Sequence, residues 1–103
     1  MSTLSLPSML FTIADLVARR GWPEPIGLQV RFHHDSGEML IDVDLRTEAD
    51  VQRWAKLLGN RGVSQQEVKG AHGPYTLFSA TAHWRGAFVM VDARVPVVSG
   101  VLV

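Results

Sequence analysis

The sequence contains no cysteine and carries no net charge. Ten basic and ten acidic side chains are interspersed along its 103 residues. Without thiols, the chain can form neither a disulfide framework nor a thiolate metal site. Because the opposite charges balance, no overall field attracts nucleic acid or an anionic membrane. The composition therefore excludes a disulfide-stapled scaffold and disfavours a broadly electrostatic binder.

Long hydrophobic runs are also missing. No stretch approaches the roughly 20 apolar residues that a membrane-spanning helix requires. Near the N-terminus, Asp15 interrupts the apolar run and no basic flank precedes it, so this segment makes a poor signal peptide. We therefore expect a cytoplasmic protein with no membrane partner.

The apolar content is sufficient for one hydrophobic core. Hydrophobic residues make up 47% of the chain and charged residues 19%, which is typical of an ordered domain rather than a disordered segment. A chain of this length buries roughly 65% of its unfolded surface on folding. We expect residues 1–103 to form a single domain.

The clearest helix signal lies in Thr47–Gly59. Thr47 can cap the first turn, with Asp50 at the third helical position. The apolar residues that follow recur at helical spacing, and they are Val51, Trp54, Ala55 and Leu58. A second helix is predicted from about Ser8 to Arg20, with an apolar face formed by Leu10, Ile13, Leu16 and Val17.

A first β-hairpin is predicted from the alternation of apolar and polar residues in Gly27–His34 and Glu38–Leu45. Ser36 and Gly37 are interpreted as a two-residue loop, because a shift by one residue would break the all-apolar face. The predicted pairs are Phe32 with Ile41, Val30 with Val43, Leu28 with Leu45, Arg31 with Asp42 and His33 with Leu40.

A second hairpin is predicted over Tyr75–Trp84 and Ala87–Val95, with its turn at Arg85-Gly86. Its predicted pairs are Trp84 with Ala87, Ala82 with Val89, Ala80 with Val91 and Phe78 with Ala93. Val63–Lys69 is a candidate edge strand, and Val97–Val103 is either a tail or a further edge segment.

Together these elements predict an α+β fold. The expected architecture is a two-layer sandwich in which two helices cover one face of an antiparallel sheet of four to five strands built from two hairpins. The strand order is left open. Trp54 and Trp84 are predicted to lie in the core, and Trp22 is predicted to cover its edge.

The sheet face away from the helices is more apolar than water contact requires. By strand alternation the candidate interface residues on it are Leu40, Leu77, Phe88, Met90, Arg31 and Arg94. We interpret this face as an interface, most simply in a homodimer whose sheets pack together, or with another protein. The alternatives are that the C-terminal segment folds back over it, or that its apolar residues have no role.

The candidate metal ligands are the run His33-His34-Asp35, with His72 and His83 as possible additions. Of these, His33, Asp35 and His83 could share a face if the two hairpins lie side by side. His33 and His34 point to opposite sides of a strand, so the pair cannot chelate one ion. No helical H-x-x-x-H motif is present. We expect no metal site and no cofactor.

Catalytic signatures are missing as well. The sequence has no serine elbow and no phosphate-binding loop. Asp42 and Asp44 share a face as a carboxylate pair could, but Arg31 opposite Asp42 favours ordinary cross-strand ion pairing. We expect no catalytic residues and no enzymatic activity.

Protein–protein interaction is therefore the leading functional prediction. The alternative is a nucleic-acid or small-ligand binder that uses the same sheet face, with Phe88 and Tyr75 for stacking and arginines for phosphate. Asp42, Asp44 and Asp92 on that face would repel phosphate, so nucleic acid is not the expected partner.

Three segments carry a resemblance to known proteins. They are A-D-V-Q-R-W-A-K-L-L-G (Ala49–Gly59), H-G-P-Y (His72–Tyr75) and R-G-A-F-V-M-V-D-A-R-V-P (Arg85–Pro96). In these the chain resembles a loose group of short uncharacterised proteins of actinobacteria and their phages. The resemblance covers mainly the C-terminal half and implies an accessory or phage-borne protein that acts by binding.

Overall fold

The computed structural model describes residues 5–60 and 62–97. In chain order its elements are α1 (Leu6–Arg20), β1 (Gly27–His33), β2 (Glu38–Leu45), α2 (Glu48–Leu57), β3 (Ser64–Gly70), β4 (Gly73–Trp84) and β5 (Ala87–Pro96). The strands form a five-stranded sheet in the order β1-β2-β5-β4-β3. Both helices pack on one face of it, which confirms the predicted two-layer α+β fold.

Helix α2 forms as predicted from its capping signal and its apolar stripe. The Thr47 side-chain oxygen accepts a hydrogen bond from the Asp50 backbone N–H at 3.1 Å. Val51, Trp54 and Ala55 are buried against the sheet. Gly59 then turns the chain with a φ of +88°, a conformation that glycine adopts without a steric penalty.

Helix α1 begins at Leu6, two residues before the predicted start. Ser5 caps it by accepting a hydrogen bond from the Ser8 N–H at 3.2 Å, and Pro7 is tolerated in the first turn, where its missing N–H has no helical partner. The buried face of α1 is rotated slightly from the predicted one. Met9 joins Ile13 and Leu16 in the core, while Leu10 remains 45% exposed.

The predicted register of the first hairpin was wrong by two residues. Phe32 pairs with Met39, Val30 with Ile41 and Leu28 with Val43. The loop comprises residues 34–37, and it is closed by a 2.8 Å bond from the Gly37 N–H to the His33 carbonyl, with Gly37 at a φ of +71°. Because the shift is even, every side chain stays on its predicted face.

The second hairpin has the predicted register, including Trp84 with Ala87 and Phe78 with Ala93. Arg85 and Gly86 both have positive φ, at 51° and 82°. Two consecutive positive values are typical of a type I′ turn, whose twist matches that of the flanking strands. The two-residue loop therefore fixes this register locally.

The sheet is mixed, whereas an antiparallel sheet was expected. β5 returns to the centre and pairs with β2 in parallel, so that Val43 lies beside Val91. The intervening chain, through α2 and the antiparallel β3–β4 pair, supplies the long connection that parallel neighbours need. The predicted edge strand at Val63–Lys69 is observed as β3. Of the predicted tail or edge segment Val97–Val103, residues 98–103 lie outside the described residues.

The core lies between the helices and the central strands. Its largest fully buried side chains are Trp54, Met39, Ile41, Leu45, Val43, Val51, Val89 and Val91. Trp22 packs edge-on against Trp54 with ring centroids 4.8 Å apart, so it covers the margin of the core as predicted. Trp84 is only half-buried and packs against the core from its edge, which corrects its predicted place inside it.

Candidate functional site

The sheet face opposite the helices, called the open face below, is uncovered in the described part of the chain. α1 and α2 both pack on the other side of the sheet. Strand alternation and the observed pairings place all six predicted interface residues on the open face. The even register shift of the first hairpin is the reason that Arg31 and Leu40 stayed there.

Four of the six residues lie together at one end of the face. One row across the sheet runs from Arg31 on β1 through Leu40 on β2 and Phe88 on β5 to His83 on β4. Met90 lies in the next row and is 37% exposed. Leu40, Phe88 and Met90 form what we call the apolar patch, and the His83 ring packs on Phe88 with centroids 5.2 Å apart.

The other two residues lie apart from this patch. Leu77 on β4 pairs with Arg94 on β5 near the opposite end of the face. The Arg94 guanidinium lies 5.9 Å from the centre of the Tyr75 ring, a distance at which cation–π attraction contributes. The six predicted residues therefore form two groups rather than one continuous interface.

An acidic cluster formed by Asp42, Asp44 and Asp92 begins beside the apolar patch, where Asp42 is paired with Met90, and extends towards the second group. Asp44 on β2 is paired directly with Asp92 on the parallel neighbour β5, and Asp42 is one row further along. Gly27 allows this arrangement because a Cβ at that position would lie 2.8 Å from the Asp44 carboxylate oxygen. The sequence placed the three acids on one face, but their convergence depends on the unpredicted β2–β5 pairing.

The cluster changes the ionisation of Asp92. The pKa of Asp92 is raised to about 6, chiefly by partial burial and further by the hydrogen bond with Asp44 and by repulsion from Asp44 and Asp42, while Arg94 opposes the shift. A protonated Asp92 can donate its O–H to the Asp44 carboxylate, which relieves the repulsion between the two acids. Near neutral pH the centre of the open face therefore carries negative charge that can change with pH.

Arg31 and Asp42 form an ion pair, as their opposite charges on neighbouring strands predicted. The Arg31 guanidinium nitrogen lies 3.0 Å from the Asp42 carboxylate oxygen. The two residues are diagonal rather than directly opposite, because Arg31 pairs with Leu40 in the observed register. The pair is exposed to solvent, so it orients the side chains more than it stabilises the fold.

The histidines do not converge on a metal site. His33 is on β1 and His83 is on β4, with β2 and β5 between them. Three strand spacings amount to about 14 Å, too far for two ligands of one ion. Asp35 lies in the loop after β1. Within residues 5–60 and 62–97, no group of three His, Cys, Asp or Glu side chains could hold a metal ion.

Neither described helix is long and apolar enough to cross a membrane.

Fold and face together define a two-layer α+β protein whose mixed five-stranded sheet leaves one acidic and apolar face uncovered in the described part of the chain. The chain matches no protein-family model, no curated protein and no solved structure. The resemblance to short actinobacterial and phage proteins therefore remains a prediction.

Proposed function

We propose that this protein is a non-enzymatic protein-interaction module that binds its partner through the open face. The observation that supports this is the combination of a sheet face that none of the described elements covers with the apolar patch of Leu40, Phe88 and Met90. Apolar side chains grouped on an unpartnered sheet face are typical of interaction surfaces. An accessory role that consists of binding also agrees with what the actinobacterial and phage resemblance implies.

The apolar patch is suited to anchor a partner. Phe88 occupies the centre of its row, flanked by Leu40 and His83, and aromatic residues at the centre of an interface contribute disproportionately to affinity. The backbone of the patch belongs to paired central strands, so binding does not have to order a loop. Completing the burial of each patch residue contributes roughly 1 kcal/mol at the usual value per unit of apolar area.

The charge of the open face favours a different protein over a second copy of this chain as the partner. Two open faces packed together would bring two sets of Asp42, Asp44 and Asp92 close to each other and desolvate them. A partner that presents lysine or arginine beside an apolar segment would neutralise these acids instead. The same acids weigh against nucleic acid, whose phosphates they would repel.

The proposal is tested by a pull-down in which the wild-type protein, Met90→Glu and Gln66→Glu are each immobilised as bait. Met90 belongs to the apolar patch, whereas Gln66 is an exposed open-face residue on β3 and serves as the matched control. A genuine partner is retained by the wild type and by Gln66→Glu, and it is lost from Met90→Glu. With that partner purified, titration should show at least about tenfold weaker binding to Met90→Glu, the loss expected for an interface anchor.

Two outcomes would overturn the proposal. If the three baits retain the same proteins, the apolar patch is not the docking surface. If the wild type instead binds single-stranded oligonucleotides, with a steep decrease in affinity as salt is raised and a loss on Arg31→Gln or Arg94→Gln, the nucleic-acid alternative replaces it. Far-UV circular dichroism of each variant separates a binding defect from unfolding.

A further inference from the structure

The two edges of the sheet differ in chemistry. On β3, the side chains on the helix side include Gln65, Glu67 and Lys69, and charged residues of this kind prevent an edge strand from pairing with another chain. On β1, the helix-side residues are Leu28, Val30 and Phe32. The strand contains no lysine and no proline, and its arginine, Arg31, lies on the open-face side, where it is paired with Asp42 of β2. Within residues 5–60 and 62–97 no strand pairs with the outer edge of β1, so in this part of the chain the β1 edge is open to pairing, whereas the β3 edge is protected.

An apolar groove runs beside the β1 edge. It lies between α1 and β1, has a volume of about 590 Å³, and is lined by residues that include Leu10, Val17, Ile26 and Leu28. Several side chains here are unusually exposed for their type, with Ile26 at 60%, Leu10 at 45% and both Leu28 and Phe32 at 40%. We call Leu10, Ile26, Leu28 and Phe32 the β1 edge surface. None of its residues belongs to the open face.

We propose that the β1 edge surface binds a second copy of this chain, with β1 pairing antiparallel to β1 of that copy about a two-fold axis at Val30. This register pairs all seven residues of Gly27–His33. On the helix side it sets Leu28 against Phe32 of the second copy, and on the open-face side it sets Gln29 against Arg31 of the second copy. Each copy thus presents the same strand to the other, as an isologous interface requires.

Neighbouring registers are less favourable. A shift by two residues in one direction sets Arg31 against Arg31 of the second copy, and directly opposed like charges destabilise a sheet. A shift in the other direction leaves His33 without a strand partner. A shift by one residue would put the helices of the two copies on opposite faces of the joined sheet. The formal net charge of zero means that no overall repulsion opposes association.

The dimensions of the two elements at this edge agree with the pairing. The 15 residues of α1 and the 7 residues of β1 both span about 22 Å. Two such helix-and-strand margins facing each other bury about 1,000 Å² in total, which is typical of a weak, transient interface. The expected dimer is consequently reversible and depends on protein concentration. It joins two five-stranded sheets with their open faces on the same side.

The test uses Leu28→Lys, Phe32→Glu and the combination of both, because the two residues oppose each other only across the proposed axis. Within one strand they are four residues apart, about 13 Å, so they cannot pair in the same chain. Each single variant should weaken the dimer at least about tenfold, because it places a charge against an apolar side chain. The double variant should recover dimerisation, because each introduced lysine then faces the introduced glutamate of the other copy, once on either side of the axis. Gln65→Lys on the protected edge is the control.

Light scattering over a concentration series to about 1 mM measures the association, and circular dichroism with urea unfolding verifies that each variant is folded. A wild type that stays monomeric, or single variants that dimerise as well as the wild type, would overturn the proposal. Failure of the folded double variant to recover dimerisation would overturn the register. Met90→Glu should dimerise normally, so failure here and failure of the open-face proposal are distinguishable.

Discussion

Trp54 offers the most direct test of how the two layers are joined. Its side chain is 2% exposed, and its indole N–H donates a 2.7 Å hydrogen bond to the Pro23 carbonyl. Trp22 packs edge-on against the same ring at 4.8 Å. One side chain thus ties α2 to the sheet below and to the segment between α1 and β1.

The expected loss of folding stability in Trp54 variants follows from these contacts. Trp54→Ala removes a fully buried aromatic side chain and leaves a cavity, which costs about 3–5 kcal/mol. Trp54→Phe keeps an aromatic ring but loses the indole donor and some volume, which costs about 1–2 kcal/mol because the Pro23 carbonyl loses its partner. A domain of this size has a total stability of roughly 5–15 kcal/mol, so Trp54→Ala should fold but lie close to its limit.

Urea unfolding followed by far-UV circular dichroism measures both changes. Leu57→Ala is the matched control, because Leu57 lies on the same helix but is 36% exposed, and its truncation should cost about 1–2 kcal/mol, less than that of Trp54. A loss below about 1 kcal/mol for Trp54→Ala would refute the placement of α2 on the sheet. Equal losses for Trp54→Phe and Trp54→Ala would assign the stabilisation to the hydrogen bond rather than to packing.

Two further predictions concern ionisation and capping. Asp92 has a pKa of about 6 in the folded protein against an ordinary 3.8, so the folded state holds its proton more tightly. Its contribution to the free energy of unfolding is therefore full below about pH 4 and is lost as the pH rises through 6. Discounted for partial exposure, the loss is about 1 kcal/mol. Asp92→Asn should remove this loss and be the more stable protein at pH 7.5, which urea unfolding at pH 4.5 and 7.5 measures; an unchanged pH dependence would contradict the assignment. Thr47→Ala should destabilise by about 1 kcal/mol through loss of the bond to the Asp50 N–H, whereas Thr47→Ser should retain most of that stability, and equal stability of the two variants would refute the cap.

Local signals in the sequence were sufficient for much of the fold. The Thr47 cap with its apolar stripe located α2, and the Arg85-Gly86 pair located a tight turn and with it the whole register of the second hairpin. The predicted register of the first hairpin was wrong because of its loop. Ser36-Gly37 resembles a two-residue turn, whereas Gly37 is the last residue of a four-residue loop. Loop length depends on backbone conformations that side-chain alternation does not report.

The candidate site was predictable only in part. Alternation assigned Leu40, Phe88 and Met90 to the open face without knowledge of strand order, because period two fixes the face. The meeting of Asp44 with Asp92 was not predictable, because it needs β5 to return beside β2, and this long-range pairing leaves no local trace in either strand. The same missing information concealed the contrast between the β1 and β3 edges.

The central position of β5 has a consequence for synthesis on the ribosome. β2 emerges early, yet its inner neighbour β5 is the last strand described. Val43 therefore pairs with Val91 only after nearly half of the chain has been added. Until β5 is made, β2 keeps one edge unpaired and its apolar side chains exposed, a state in which nascent chains aggregate or engage chaperones. The finished sheet forms by closing a long loop, so folding should be slow for a chain of this size. A stalled chain that ends within β4 should accordingly lack protease resistance.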